Sequence, residues 1–270
     1  YLWENTYVHD HMGYYNDPFY FRFEQGVNSI TFVSHREPIV LNSLTLTQAP
    51  RTTNYDDYIK KLKEQGVKEI ETDFNKIYEA EETYLKSSSS LTPIAEYSTY
   101  KYSPYERQVT RYNAIGGVNW RIPGDEISWL INVPEEGLYN LTFTVMQNFS
   151  RGQNVSRTLK VNGEVPFEEA RNIDFKYKSD LQNITLDNYI HLNKGDNIIT
   201  LKSTVGIYGN AVQKVNEEIK NLRTLYREVV MRTGLNPNPV GDYMLVRNIK
   251  DLKKRFEEIY NSFESIKEEI

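Results

Sequence analysis

Alternating apolar and polar residues recur along most of this sequence, in the pattern of strands that bury one face. Residues 20–50 contain three such runs, YFRFE, NSITFVS and IVLNSLTLTQ, separated by the turn signals QGVN and REP. From residue 69 to residue 206 the runs are KIYEAEETYL, EISWLINV, NLTFTVMQN, RTLKVNGEVPF, IDFKY, NYIHLNK and NIITLKS. Loop signals rather than helices lie between these later runs, so we predict antiparallel connections and a β-sandwich of about 140 residues.

Spacing within these runs gives further detail. In EISWLINV every second residue from Ile127 to Val133 is apolar, which places Trp129 on the face that packs into the core. In VNGEV, Asn162 and Gly163 stand between apolar residues, and a type I′ turn needs positive φ at both of its central positions. We therefore predict a tight hairpin at Asn162 and Gly163.

Apolar residues spaced by three and four predict helices in three places. TNYDDYIKKLKEQG predicts a short connector, with Asn54 as its N-cap and Gly66 as its stop. Residues 209–233 predict a long helix that ends at Gly234, and NIKDLKKRFEEIYNSFESIKEEI repeats the pattern. We predict an antiparallel hairpin of two amphipathic helices, each about 35 Å long. Their apolar stripes need covering, either by the sandwich or by helices beyond Ile270.

One strand pattern occurs twice, as EQGVNSITFVS in residues 24–34 and as NKGDNIITLKS in residues 193–203. The second copy ends a complete set of strands, whereas the first lies near the beginning of the sequence. We therefore predict that the sequence starts inside an earlier sandwich of the same kind. The predicted organisation is the end of that sandwich in 1–50, a helical connector in 51–68, a complete sandwich in 69–208 and a helical hairpin in 209–270.

Composition narrows the possible functions. The 270 residues are 39% hydrophobic, which suffices for at least one sizeable core. The absence of cysteine excludes disulfides, thiol catalysis and cysteine-ligated zinc. A net charge of -5, with Lys and Arg interleaved with Asp and Glu, argues against a nucleic-acid partner. The 21 tyrosines favour wet contact surfaces for glycans or proteins, although tyrosine also fills sheet surfaces.

A resemblance to the β-sandwich carbohydrate-binding modules of families 6 and 35 is carried by NAIGGVNWRIPGDEISWLINVPEEGLYNLTFTVMQNFSRGQNVSRTLKVNGEVPFEE, preceded by IYEAEE. The motif from Gly116 to Glu169 looks like the modules embedded in very large extracellular solute-binding proteins of bacterial carbohydrate importers. NLRTLYREVVMRTGLNPNPVGDY resembles the helical segment that follows those modules. The resemblance implies a mainly β, antiparallel jelly-roll β-sandwich and an extracellular, cell-surface location for the full-length protein.

The acidic run YEAEE is a candidate metal site. Glu79 and Glu81 are two apart in a predicted strand, so both carboxylates would project to one face, and a calcium ion prefers such oxygen ligands. The families that this sequence resembles use a Glu-x-Glu pattern of this kind for a structural calcium ion. Alternatively, the two carboxylates are charges on an edge strand that discourage aggregation.

Sugar binding needs an aromatic face for the C–H groups of a pyranose and polar side chains for its hydroxyls. Such residues stand where modules of the resembled families place binding residues: Trp120, Gln147, Asn148, Arg151 and Arg157. Each also has a purely structural interpretation. Trp120 would then be a corner aromatic, Gln147 and Asn148 would bond loop backbone, and Arg157 would pair with Glu168 across a hairpin.

No GxSxG, HExxH or phosphate-loop motif is present, so we expect no catalysis. We predict a non-catalytic module that binds or positions an oligo- or polysaccharide within a cell-surface solute-binding protein. Its other partners would be neighbouring domains of the same longer chain and, through the full-length protein, the membrane components of an importer. The alternatives are a structural spacer that binds no sugar and an accessory module of a glycoside hydrolase.

Overall fold

The computed structural model describes residues 7–10, 12–15, 18–33, 40–48, 52–67, 74–106, 108–149 and 151–269. The strands are β1 (Leu85–Lys86), β2 (Pro93–Ile94), β3 (Ala114–Ile115), β4 (Glu126–Val133), β5 (Gly137–Tyr139), β6 (Thr142–Gln147), β7 (Val155–Val161), β8 (Ile173–Phe175), β9 (Lys178–Thr185), β10 (Ile190–Leu192) and β11 (Gly195–Thr204). The helices are α1 (Tyr55–Glu64), α2 (Gly209–Thr233), α3 (Leu245–Asn248) and α4 (Leu252–Glu269). Each strand pairing is antiparallel, which confirms the predicted mainly β class with helices at its C-terminal side.

The larger layer is a five-stranded sheet in the order β1-β4-β11-β7-β8. Its central strand β11 pairs with β4 from Gly195 opposite Val133 to Lys202 opposite Glu126. On its other side β11 pairs with β7. The longest strand of the described residues is therefore held on both edges, and it aligns β4 and β7, which contribute Ile131, Val133 and Leu159 to the core.

Shorter pairs, β5 with β10 and β6 with β9, supply the opposing layer. Leu159 of β7 and Ile190 of β10 are completely buried in one common cluster, together with Phe167 from the loop after β7. Apolar side chains from both layers thus enclose one core, as predicted for a sandwich. Ile131 and Val133 lie in this core as predicted, and Trp129 packs against it while part of its ring stays exposed.

Helix α1 closes one side of this core. Its N-cap is Asn54, whose side-chain oxygen accepts a hydrogen bond from the backbone N–H of Asp57 at 2.8 Å, as the sequence predicted. The rings of Tyr55 and Tyr58 pack on Phe167, with centroid distances of 5.1 and 5.3 Å. The connector is therefore part of the packed structure rather than a free linker.

The two copies of the repeated pattern form the same local turn. The side chain of Asn197 donates to the carbonyl oxygens of Asn193 (2.7 Å) and Gly195 (3.1 Å) and accepts from the Asn193 N–H (3.0 Å). Asn28 makes the corresponding three bonds with Glu24 and Gly26, at 2.8, 3.1 and 3.3 Å. Both turn glycines have positive φ, 118° at Gly26 and 95° at Gly195, a conformation that other residues adopt only at a cost. We call this arrangement the amide-clamped turn.

Only the second amide-clamped turn is built into the sheet. Asn197 is 1% exposed, and its side-chain oxygen also accepts from the side chain of Asn162 at 3.1 Å. Asn162 in turn accepts from the N–H of Ile198 at 2.8 Å. Asn162 and Gly163 have φ values of 52° and 87°, which confirms the predicted hairpin turn. Two loops are thereby locked to each other at the start of β11.

The strands predicted in residues 20–50 are not formed in the described parts of that range. Within 18–33 and 40–48 the chain makes no strand ladder, and residues 34–39, 49 and 50 lie outside the described ranges. A strand needs a hydrogen-bonded neighbour, and the alternating apolar side chains in these two ranges, such as Phe32 at 56% exposed, lie open to solvent. An earlier sandwich in 1–50 remains a prediction.

Two further differences concern the sandwich itself. The run KIYEAEETYL, predicted as one strand, is a loop with a turn at Ala80 and Glu81, and pairing begins only at Leu85. Trp129 and Ser128 hold this loop instead, because the Trp129 side chain donates to the Ala80 carbonyl and the Ser128 carbonyl accepts from Tyr84. Strand β9 was missed by the sequence analysis, because KSDLQNIT has few apolar residues and its polar side chains pair with β6.

The two long helices form the predicted hairpin, with Gly234 ending α2. Leu225 is completely buried between the helices, where it packs with Ile249, Leu252 and Ile259. The three- and four-residue apolar spacing also includes the adjacent Leu222 and Tyr226, and both of these residues are exposed. Among the described residues, each helix is too short or too polar to span a bilayer.

Replacing Asn197 by alanine removes four hydrogen bonds and leaves buried backbone groups unpaired, so we expect a loss of about 3 kcal/mol in the free energy of unfolding. Urea unfolding followed by tryptophan fluorescence measures it. Asn28→Ala is the matched control: it breaks the same clamp where the side chain is exposed, and we expect less than about 1 kcal/mol. Equal losses in the two variants would contradict a special role for the buried turn.

Candidate functional site

Trp120 stands at a corner of the sandwich. It follows the 3₁₀ turn Gly117–Asn119, and its indole N–H donates to the Asp125 carbonyl at 3.1 Å. A side chain at Gly116 would meet the Trp120 ring at 3.2 Å, so a glycine with positive φ allows the ring to fold back here. The indole N–H of Trp120 is therefore bonded within the protein, and the ring packs against the main core.

Arg157 covers an outer face of the same ring. Its guanidinium carbon lies 4.3 Å from the ring centroid of Trp120, a cation–π contact. The two terminal nitrogens donate to the backbone carbonyls of Ser156 at 2.8 Å and Trp120 at 3.1 Å. Burial lowers the pKa of Arg157 to about 10, which still leaves it charged at neutral pH. The pairing with Glu168 considered from the sequence is not formed, because Glu168 binds Arg171 instead.

The other three predicted sugar residues lie where β6 leads into β7. Gln147 is buried, and its amide donates to the Gln153 carbonyl at 3.0 Å and accepts from the Phe149 N–H at 3.1 Å. It therefore shapes the loop rather than facing solvent. Asn148 and Arg151 are exposed on that loop. The loop also presents Phe149, which is 67% exposed and which the sequence analysis did not single out.

A second feature that the sequence analysis missed is a tyrosine-rich segment between β2 and β3, described over residues 95–106 and 108–112. The exposed rings of this segment belong to Tyr97, Tyr100, Tyr105 and Tyr112, and Tyr100 has the largest exposed fraction at 78%. The sequence has five tyrosines within the sixteen positions from 97 to 112, and this density could have indicated an aromatic surface. No apolar alternation accompanies them, which is why no element was assigned there.

The buried side chain of Asn113 ties the two ends of the tyrosine-rich segment together. It accepts from the Glu96 N–H at 2.8 Å and donates to the carbonyls of Glu96 at 3.0 Å and Pro104 at 3.1 Å. Three bonds from one amide thus close a loop of this length without regular secondary structure. The exposed rings are held on a fixed base.

Contacts to β6 and β9 place this segment beside the Phe149 loop. Tyr102 donates from its hydroxyl to the Met146 sulfur at 3.8 Å, at the end of β6. Lys101 forms an ion pair of 2.6 Å with Asp180 on β9. This hydrogen-bonded pair raises the pKa of Lys101 and lowers the pKa of Asp180, so both are charged at neutral pH. Phe149 comes three residues after Met146, and Tyr100 comes two residues before Tyr102, so the segments that carry these two exposed rings meet at one end of β6. We call this region the aromatic rim.

In the loop that carries Glu79 and Glu81, one carboxylate oxygen lacks a hydrogen-bond donor among the described residues. One side-chain oxygen of Glu81 is buried and accepts no hydrogen bond within the described residues. Burial raises the pKa of Glu81, and the nearby carboxylates of Glu79 and Glu82 raise it further. The donors therefore fit a hard cation, which would supply the missing partner and neutralise the like charges. The described residues contain no group of three or more His, Cys, Asp or Glu side chains arranged to hold a metal ion.

Comparison with known proteins gives similarity over about half of the chain. No protein-family profile and no curated protein matches it. A family 35 carbohydrate-binding module from Clostridium thermocellum is 20% identical, with 48% of this chain and 87% of that chain covered and a TM-score of 0.37. A Paenibacillus cycloisomaltooligosaccharide glucanotransferase complexed with cycloisomaltoheptaose is 23% identical, with 57% of this chain and 21% of that chain covered and a TM-score of 0.38. A β-(1,4)-mannanase with a family 35 module from Podospora anserina is 18% identical, with 48% and 24% covered and a TM-score of 0.34. No family assignment follows from these values, and the function has to come from the side chains described above.

Calcium should stabilise the folded protein through Glu81. Because its folded-state pKa is raised, stability without a cation falls as the pH rises from the ordinary glutamate pKa through the raised one. We expect calcium to raise Tm by a few degrees at neutral pH in calorimetry. Glu81→Gln should raise Tm in the presence of a chelator and remove the calcium effect.

The matched control for this experiment is Glu82→Gln, an exposed carboxylate in the same loop. It should keep most of the calcium-dependent rise in Tm. A rise of the same size in Glu81→Gln, or no rise in the unchanged protein, would show that the orphaned oxygen is not a cation ligand.

Proposed function

We propose that this chain binds an oligo- or polysaccharide at the aromatic rim and catalyses no reaction. The observation that carries the proposal is that two exposed rings, Tyr100 and Phe149, belong to segments that meet at one end of β6 through the contact of Tyr102 with Met146. Exposed aromatic rings that are held by the fold offer flat apolar faces, and the C–H groups of a pyranose stack on such faces. A held ring also loses little conformational freedom on binding.

Polar groups beside these rings suit the hydroxyls of a sugar. Asn148 and Arg151 are exposed on the Phe149 loop, and an amide and a guanidinium offer donors and an acceptor at short range. The Lys101–Asp180 pair fixes the tyrosine-rich segment and presents further polar atoms at the edge of the rim. A mixture of flat apolar rings and unburied hydrogen-bonding groups is suited to a chain of sugars rather than to a wholly apolar ligand.

The five residues predicted from the sequence divide into two roles in this proposal. Asn148 and Arg151 contact the sugar directly. Trp120, Arg157 and Gln147 hold the loops in place, because their hydrogen-bonding groups are engaged with the backbone. The rings that stack on the sugar are therefore those of the tyrosine-rich segment and Phe149, rather than that of Trp120.

The mechanism we propose is reversible docking along an extended ligand. Each ring contributes a modest contact, and several contacts along one polysaccharide raise the time that the ligand spends at the surface. In a longer cell-surface chain this would concentrate the glycan beside a transport or hydrolysis site. The resemblance of Gly116 to Glu169 to modules of solute-binding proteins supports the importer context, and an accessory module of a glycoside hydrolase is the alternative.

Calcium belongs to the same proposal as a structural ion. Glu79 and Glu81 would hold it in the loop that Trp129 binds through the Ala80 carbonyl at 2.8 Å. A cation at this position would have a structural role and would take no part in a reaction. It would stabilise the entry into β1 at the edge of the five-stranded sheet.

Tyr100→Ala should weaken retention in affinity electrophoresis by about tenfold, the factor that about 1.4 kcal/mol of lost stacking produces. The unchanged chain is first run through gels that contain individual plant and microbial polysaccharides, and the variant is compared on the one that retains it most. Phe149→Ala should show a similar loss. Tyr208, an exposed tyrosine just before α2, provides the control: Tyr208→Ala should bind like the unchanged chain.

Two results would count against the aromatic rim. If no polysaccharide retains the unchanged chain, the structural spacer becomes the better explanation. If retention survives Tyr100→Ala and Phe149→Ala but is lost in Trp120→Ala with Tm unchanged, the sugar binds at the Trp120 corner. Circular dichroism on each variant separates lost binding from lost folding.

A further inference from the structure

A short segment before the sandwich is held by its own hydrogen bonds. We call it the Asp10 turn, and it is described over residues 7–10, 12–15 and 18–21. Three backbone N–H groups donate to the carboxylate of Asp10, at 3.1, 3.0 and 3.2 Å, and they belong to Met12, Tyr14 and Tyr15. The N–H of Phe19 donates to the Val8 carbonyl at 2.7 Å. The two ends of the Asp10 turn therefore lie side by side.

Glycines at two positions let the Asp10 turn lie directly against the sandwich and α2. A Cβ atom at Gly13 would lie 2.5 Å from the backbone of Pro123, and one at Gly209 would overlap with the carbonyl oxygen of Tyr14. A side chain fits at neither position without a shift of the backbone. The Asp10 turn is thereby fixed beside the first turn of α2, and Gln213 follows one helical turn after Gly209.

A cavity of about 360 Å³ is formed where the Asp10 turn meets α2. Its lining consists of four aromatic residues from the turn and one amide from the helix: Tyr15, Phe19, Tyr20, Phe21 and Gln213. The rings of Tyr15 and Phe19 are nearly parallel, at an angle of 17° and with centroids 6.0 Å apart. Phe21 is 62% exposed, and Gln213 is exposed as well, so the cavity is open to solvent. We call it the aromatic pocket.

The lining favours a neutral ligand. Among the described residues that line the pocket, none is Lys, Arg, Asp or Glu, so a charged group would lose water without gaining an opposite charge. Arg171, which interacts electrostatically with Tyr15, is already paired with Glu168 at 2.9 Å. The Gln213 amide offers both a donor and an acceptor, which a wholly apolar ligand would not use. The pocket therefore suits a ligand with flat apolar faces and neutral hydrogen-bonding groups.

We propose that the aromatic pocket is a second saccharide-binding site of this chain and takes neutral pyranose units. A pyranose ring stacks its C–H face on the Tyr15 and Phe19 rings, and its hydroxyls reach the Gln213 amide or stay in solvent at the open side. A peptide would bring a backbone donor and acceptor with every residue into a lining that has one amide. The size of the pocket lies at the lower end of the range for small ligands, about 300 to 1,000 Å³.

This inference rests on the proposed sugar binding, but the pocket shares no residue with the aromatic rim. Its walls come from the Asp10 turn and α2, which lie outside the strands of the sandwich. Two sites on one chain act together on a long polysaccharide, because the second contact is made within a complex that already exists. Loss of either site should therefore weaken binding, and loss of both should abolish it.

Affinity electrophoresis tests the pocket with five probes. The gels contain a neutral polysaccharide, namely hydroxyethylcellulose, galactomannan, β-glucan or dextran, or the anionic polygalacturonate. On the neutral probe that retains the unchanged chain most, Phe21→Ala and Gln213→Ala should each weaken retention by about fivefold to tenfold. Both side chains are exposed, so the fold should persist, and circular dichroism checks this.

Matched controls remove the same groups elsewhere. Phe32→Ala deletes another exposed ring near the N-terminus, and Asn221→Ala deletes another exposed amide of α2. Both variants should be retained like the unchanged chain. An equal loss of retention in these controls would show that the effect does not come from the aromatic pocket.

Combination with Tyr100→Ala and Phe149→Ala separates this inference from the proposed function. That double variant should keep part of its retention, and addition of Phe21→Ala and Gln213→Ala should abolish the rest. If the pocket variants alone are retained like the unchanged chain, the second site is overturned and the aromatic rim stands. If they abolish retention while the rim variants change nothing, the pocket stands and the rim fails. Stronger retention by polygalacturonate than by every neutral probe, or retention by none of the five, also overturns the pocket.

Discussion

The fold depends on β11, the one strand of the large sheet that is paired along most of its length on both sides. It aligns β4 and β7. Its buried side chains, Ile199 and Leu201, pack in the core with those of β10 and with Phe167. Asn197 fixes where this strand begins, because its side chain bonds the preceding backbone and the hairpin at Asn162 together. Since side chains alternate between the two faces of a strand, a one-residue slip in the register of β11 would turn Ile199 and Leu201 away from the core.

Much of this architecture can be read from the sequence where one signal dominates. Period-two alternation predicted β4 and β11 correctly, and the pair Asn162-Gly163 predicted the turn after β7. Asn54 marked the start of α1, and Gly234 marked the end of α2. The failures share a physical cause. Residues 20–48 alternate as strongly as β4, yet alternation reports only a face that could be buried, whereas a ladder also needs a neighbouring strand. In α2, a stripe of apolar residues is wider than the seam between two helices, so spacing alone could not choose Leu225 over Leu222.

The candidate site was harder to predict, because the types of side chain that bind sugars are also those that stabilise corners and loops. Trp120, Arg157 and Gln147 fit either role by residue type, and only their distances to backbone carbonyls show how they are engaged in the fold. Conversely, Phe149 and Tyr100 sit in segments without periodicity, where a sequence gives no guide to exposure. The position of the tyrosine-rich segment depends on the bonds between Asn113 and Glu96, 17 residues apart, and on the contact of Tyr102 with Met146, 44 residues apart.

The amide-clamped turn at Asn28 is complete although the chain around it forms no ladder within the described residues. One side chain and three backbone groups within five residues therefore suffice to reverse the chain, with no help from a sheet. During folding, such a reversal directs the residues that follow before any distant partner arrives, and it shortens the search for the correct strand alignment. A segment that carries these five residues therefore forms its own chain reversal, whether or not it joins a sheet.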